Sequence, residues 1–137
     1  MSRSRGFSLT EILTTIVILA VLASIAIPGF SKAKDKAAAN QAIAYLRTIR
    51  LGEKMYFAKN PTYIACANKG EIQTNLGVEV TTENFQFDVV AGASGIATTF
   101  SARSLKGAAP SNCTSANTIC LDQDGGWGGS YTPLPAS

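Results

Sequence analysis

The chain has 137 residues, 46% hydrophobic and 15% charged. That length predicts one domain and that composition excludes a highly charged, disordered chain. It carries 12 Lys and Arg against 9 Asp and Glu, a formal +3, and no histidine, which excludes Ser-His and Cys-His nucleophiles, histidine metal ligands and histidine proton shuttles.

Residues 1–6, Met-Ser-Arg-Ser-Arg-Gly, make a short basic head without an acid. Phe7 to Phe30 then holds a single charge, Glu11, among 24 residues, 16 of them apolar. Ile12 to Phe30 is 19 uncharged residues, close to the roughly 20 that a membrane-crossing helix needs. A basic head before an apolar run reads as an export signal whose head stays in the cytoplasm. The far flank, Lys32, Lys34 and Lys36 against Asp35, is basic too, so charge bias alone does not orient the segment. A six-residue head is nevertheless easier to leave inside than 107 residues of polar domain. The apolar run exceeds the roughly 7–15 residues of a cleaved signal peptide. Its end, Ile27-Pro28-Gly29-Phe30-Ser31, has no clear small-x-small cleavage site. The segment is therefore expected to remain on the mature protein.

The junction Arg5-Gly6-Phe7-Ser8-Leu9-Thr10-Glu11 resembles that of the type IV pilin and pseudopilin family, and most resembles a type IVa major pilin. The resemblance covers residues 1 to about 58 by motif and the remainder by architecture only. It implies a leader, residues 1–6, cut off after Gly6 by a prepilin peptidase. It also implies N-methylation of the new terminal Phe7, and a family glutamate at Glu11. The family's helix-kinking proline is matched by Pro28, and Pro28-Gly29 is a weak point at which the helix is implied to melt when a subunit leaves the membrane. Ser8-x-x-Glu11 also fits a capping box, and a carboxylate is favoured at a helix N-terminus in any case. Capping does not explain a lone carboxylate in an apolar span, where a charge costs about 2.5–3.5 kcal/mol at mid-depth. The family reading supplies a partner, the α-amine of Phe7 on a neighbouring or the same subunit.

Beyond the anchor, Ala39, Ala42, Ile43, Leu46, Ile49, Tyr56 and Phe57 recur at spacings of three and four, with a gap at Arg50 and Glu53. This is an amphipathic helical period, its other face carrying Lys36, Asn40, Gln41, Arg47 and Lys54. Lys59-Asn60-Pro61 stops it. One helix over residues 7–58 is expected, apolar all round at 7–30 and striped at 31–58. Residues 59–84 read as a connecting loop, and 85–137 as a β-rich head.

In the head, 85–89 alternates as a strand and 91–95 is a turn. Residues 96–103 form a second strand with Ile96, Thr98, Phe100 and Ala102 on one face, and 118–121 a short third. Residues 122–137 read as loop and tail, with a fourth short strand possible near Tyr131. The fold class is α+β: a long N-terminal helix on an antiparallel sheet of three to four strands.

Cys66, Cys113 and Cys120 allow one disulfide in three pairings, in the oxidising compartment that an exported chain meets. Pilins commonly carry a C-terminal disulfide loop, which implies Cys113 with Cys120 and leaves Cys66 free or as the rival partner. No catalytic residues, metal ligands or cofactor are assigned. Asp122-Gln123-Asp124-Gly125 opens like a calcium loop, but Pro133 stands where the twelve-residue pattern needs glutamate. Asn112-Cys113-Thr114 fits a glycosylation sequon. Phe7, Phe30, Tyr45, Tyr56, Phe57 and Tyr63 are expected to pack between helices.

Three function classes compete. The resemblance implies a structural pilus subunit that polymerises with copies of itself through its apolar helix, for adhesion, motility or related surface functions. Its partners would be the peptidase and an inner-membrane assembly platform. It would sit in the inner membrane as a single pass with its N-terminus cytoplasmic, and then in an extracellular filament. The second class is a pseudopilin of a type II secretion or DNA-uptake machine, whose calcium-site C-terminus this chain does not reproduce well. The third, a membrane-anchored enzyme or binding protein, lacks a catalytic set. Residues 60–137 hold three bases against six acids, so no nucleic-acid partner is predicted.

Overall fold

The computed structural model describes residues 7–92, 100–108, 110, 112–114 and 116–131, with the backbone alone at 26–29 and 100. The chain divides into two units, Met1–Ala37 and Ala38–Ser137.

Helix α1 spans Leu9–Lys59. It begins two residues after the expected start, because Ser8 caps it. The Ser8 carbonyl accepts from the Glu11 amide at 3.0 Å, and the Glu11 carboxylate accepts from the Ser8 amide at 3.2 Å. This is half of a capping box; the Ser8 hydroxyl bonds that of Thr10 instead, at 2.8 Å. In the first unit every large apolar side chain described, from Phe7 to Phe30, is more than half exposed.

The second unit has the core. Ala39, Ala42, Ile43, Leu46 and Ile49 of α1 are buried, as their spacing predicts. The buried stripe then runs on through Gly52 and Glu53. The expected gap at Glu53 is therefore a correction: the position is set by the helical period, and the carboxylate is buried with it. Gly52 is required by close approach. A Cβ there would stand 3.0 Å from Val78 Cγ2 and 3.1 Å from Leu76 Cβ. Overpacking of this kind costs about 1–3 kcal/mol, so Gly52→Val should lower unfolding free energy by about that much in a chemical denaturation curve. An unchanged midpoint would mean that the 76–78 segment simply moves away.

The 59–84 connection, expected as loop, contains helix α2, Lys69–Leu76. Asn68 caps it, accepting from the Glu71 amide at 3.0 Å. The Glu71 carboxylate reaches back to the Ala67 amide at 2.8 Å. Gly77, at φ +67°, closes it in the left-handed conformation, as helix C-termini favour. Only Ile72 of α2 is buried, so two turns offer no apolar period to read.

Four antiparallel strands follow in sequential order: β1 (Phe85–Ala91), β2 (Phe100–Lys106), β3 (Thr118–Asp122) and β4 (Trp127–Gly129). Strand β1 is two residues longer than expected. Strand β2 ends at Lys106 rather than Arg103, because Phe85 to Phe87 pair with Lys106 to Ser104. Ala91, expected in the turn, is the last residue of β1; residues 93–99, with the rest of the predicted turn after Gly92 and with Ile96 and Thr98, lie outside those described. Strand β4 lies in the stretch expected to be loop and tail, held by register to Ile119, Cys120 and Leu121. Tyr131, where a fourth strand was expected, lies just past it and donates its amide to Thr118 O at 3.1 Å.

The register sorts the two sheet faces, since side chains alternate along a strand. Val89, Ala102, Leu121 and Trp127 form one row across the sheet, and Phe87, Ser104 and Ile119 another. Both belong to the core against α1, where the Tyr45 and Phe87 rings meet edge-on at 5.9 Å. The opposite face carries Asp88, Arg103 and Cys120 in a row. Arg103 forms an ion pair with Asp88.

Two arginines of α1 hold the β3–β4 hairpin. Arg50 Nε donates to Gln123 O at 3.0 Å, and the Arg47 guanidinium lies 5.5 Å from the Trp127 ring centre, within cation–π reach. Trp127 is half-buried against the core.

Candidate functional site

Residues 7–25 present an apolar surface with a single ionisable group. Its hydroxyls are used locally. Thr14 Oγ1 donates to Thr10 O, Thr15 Oγ1 to Glu11 O at 2.7 Å, and Ser24 Oγ to Val21 O at 2.7 Å. Returned to the helix backbone in this way, hydroxyls add no unsatisfied polar group to an apolar face. The Glu11 carboxylate is the exception. It is exposed, and it accepts from the Ser8 amide, one residue from the nitrogen that cleavage after Gly6 would free as an α-amine. Gly6 lies outside the described residues, and Pro28 lies in α1 where the side chains are not described.

An apolar helix face this continuous is unstable in water and requires lipid or other helices. Among the described residues, no single helix is long and apolar enough to cross a membrane. Leu9–Ile25 and Phe30–Lys59 meet that measure as a pair, by length and composition.

At the other end of the chain a disulfide joins Cys113 to Cys120, tying the loop after β2 to β3. Cys66 is free and buried, and burial pushes its thiol up to about 11. The Asp122 carboxylate is occupied by the backbone: Oδ1 accepts from Asp124 N at 3.0 Å and from Gly126 N at 2.7 Å. The sequence Asp122 to Gly126 thus forms a hydrogen-bonded hairpin turn. Among the described residues no cluster of three or more Cys, Asp or Glu is placed to hold a metal. In the sequon, Asn112 Oδ1 accepts from the amide and the hydroxyl of Thr114, both at 3.0 Å. The aromatic side chains named from sequence separate. Phe57, itself exposed, stacks on Tyr63 at 4.6 Å, Tyr45 is half-buried against the core, and Phe7 and Phe30 are exposed.

Sequence reasoning missed Glu53 as a buried acid and α2 as a helix. Both left signals: an acid on the helical core period, and Asn68, Glu71 and Gly77 at capping spacing.

Residues 1–27 match the family model described as the prokaryotic N-terminal methylation motif. The chain is 33% identical over 67 residues to the type IV major pilin protein PilA of Myxococcus xanthus, covering 49% of this chain and 30% of that one. It is 32% identical over 90 residues to the type IV wide pilus major component PilA4 of Thermus thermophilus, covering 66% of each. It is also 40% identical over 63 residues to the type II secretion system core protein G of Klebsiella pneumoniae, covering 46% of this chain and 45% of that one. The chain thus spans less than two thirds of the length of the relatives it matches. No solved structure matches it.

Proposed function

Because the chain belongs to the type IV pilin family, we propose that it is the structural subunit of a type IV pilus filament. In this reading it is cut after Gly6 by a prepilin peptidase, N-methylated on Phe7, and held in the inner membrane by its apolar helix. An assembly platform then polymerises it into a surface filament. The observation that carries the reading is the exposed apolar face of residues 7–25 with Glu11 as its lone charge. Apolar surface is worth roughly 25 cal/mol per Å² removed from water, so many copies packing these helices together supply a large, non-directional association energy. A carboxylate in that packing favours the one axial register that brings it to a neighbour's Phe7 amine, since an unpaired buried charge is strongly destabilising. Pro28 in α1 removes one backbone donor and marks where the helix would yield on leaving the membrane. The helix packs and the partners carry out the covalent steps, so no catalytic residue or cofactor is assigned to this chain.

The second reading is a pseudopilin of a type II secretion system, favoured by the 40% identity to core protein G over 63 residues. Shearing the cell surface and measuring the intact mass of the released small protein separates the two. A mass that starts at Phe7 with one added methyl group supports the pilus subunit. An inner-membrane species of that mass with no surface filament supports the pseudopilin. A chain starting at Ile27 or later would overturn both.

A further inference from the structure

Glu53 is wholly buried. Its Oε2 accepts from the Ile64 amide at 3.2 Å, and its Oε1 has no hydrogen-bond partner. Ile64 belongs to the segment 60–67, which contains no charged residue and crosses from the end of α1 to the outer edge of β1. There Cys66 N donates to Val89 O at 3.0 Å and Val89 N donates to Cys66 O at 2.7 Å, an isolated antiparallel bridge. The segment is held by the Glu53 carboxylate and the β1 edge, with Tyr63 stacked on Phe57 and the Ala67 amide on Glu71 beside them, and it covers that edge.

We propose that Glu53 and the 60–67 segment form a pH-sensitive clasp: ionisation of the buried carboxylate releases the segment and uncovers the edge of β1. The neutral acid keeps the Ile64 bond and leaves only a carboxyl group in the interior. The anion leaves an unneutralised charge there, with one oxygen unsatisfied, and release of the segment lets water solvate it.

Among the described residues, no cation compensates the charge from any neighbouring element. On α1, Arg50 is turned to Gln123 O and Lys54 is exposed. The segment itself offers the Tyr63 phenol and the buried Cys66 thiol. At α2, Lys69 donates to Thr82 O, and the Glu71 carboxylate is spent on the Ala67 amide and Asn68. On β1, Asp88 is paired with Arg103. In the stretch before β1, Glu79 and Glu83 are exposed.

Burial accordingly pushes the Glu53 carboxyl up from 4.5 to about 7, with the Ile64 bond drawing it part of the way back. A carboxyl raised in the closed form stabilises closure fully below its free value. That stabilisation is lost as pH climbs toward about 7. Opening should therefore grow about tenfold per pH unit between pH 5 and 7 and then level off.

Amide hydrogen exchange on the full chain in detergent micelles, corrected for the intrinsic chemical rate, tests this. Protection at Ile64, Cys66 and Val89 should fall about tenfold per pH unit from pH 5 to 7, while amides at the centre of β2 and β3 keep theirs. Glu53→Gln, always neutral, should give flat profiles at all three positions. A flat wild-type profile would overturn the clasp, as would the same slope in Glu53→Gln. If Glu53→Gln does not fold, the wild-type profiles still decide, because an equal loss in β2 and β3 would mean global unfolding and no clasp.

Discussion

Glu11→Ala is expected to leave cleavage after Gly6 intact and to lower filament yield by about two orders of magnitude or more. One side chain has two separable jobs here. In the single subunit, Glu11 caps α1 by accepting from the Ser8 amide at 3.2 Å, a contribution of about 1 kcal/mol. Its loss frays one turn of a 51-residue helix and leaves the peptide bond after Gly6 as it was. Between subunits the same carboxylate would be the partner of a Phe7 amine in an apolar environment. Removing one member of a buried pair costs about 3–5 kcal/mol, and each 1.4 kcal/mol is about tenfold in an equilibrium. Glu11→Gln distinguishes the two jobs, because the amide oxygen still accepts from Ser8 while the charge is gone. Filament yield and intact mass are both read from the same cells. Assembly lost in Ala and Gln alike supports charge pairing. Assembly restored in Gln would show that capping alone matters, and full yield from Ala would reject the role of Glu11 altogether.

Phe87→Ala should cost about 3–5 kcal/mol of stability, the range for truncating a fully buried phenylalanine. Phe87 is 1% exposed, lies in the row that faces α1, and meets the Tyr45 ring at 5.9 Å. A small domain is stable by about 5–15 kcal/mol in all, so this one change removes a large part of it. Denaturant unfolding of the detergent-solubilised chain, followed by tyrosine and tryptophan fluorescence, checks it. A loss below about 1 kcal/mol would mean that the sheet closes on α1 and refills the space. The two variants should also fail at different stages. Phe87→Ala subunits should be depleted before assembly because the head unfolds. Glu11→Ala subunits should accumulate folded and processed.

What was legible was local and periodic. Ala39, Ala42, Ile43, Leu46 and Ile49 announce a buried helix stripe because 3.6 residues make a turn. Phe85, Phe87 and Val89 announce a half-buried strand because side chains alternate. The junction from Gly6 to Glu11 carried the family, since it is a contiguous signal that needs no tertiary partner to be read. Helix α2 was lost to this kind of reading because one buried residue, Ile72, defines no period. Its caps at Asn68, Glu71 and Gly77 were the signal available.

The sequence by itself determined that an apolar helix with one carboxylate follows a short basic head, that its continuation is striped, and that a small sheet must cover the stripe. These follow from composition and spacing along the chain. Only the tertiary structure decided what the neighbours of each striped position are. Three cysteines permitted three pairings, and folding put Cys66 on the edge of β1 and joined Cys113 to Cys120. Trp127 stood in a glycine-rich tail until the register of β4 with Leu121 turned it toward the core and under Arg47. Glu53 read as a break in the apolar stripe, yet it is buried with one oxygen unsatisfied. Helical period settles which direction a side chain points. Whether a charge at that position meets water or a buried amide depends on the segment that arrives from elsewhere in the chain, which in this protein is the stretch around Ile64.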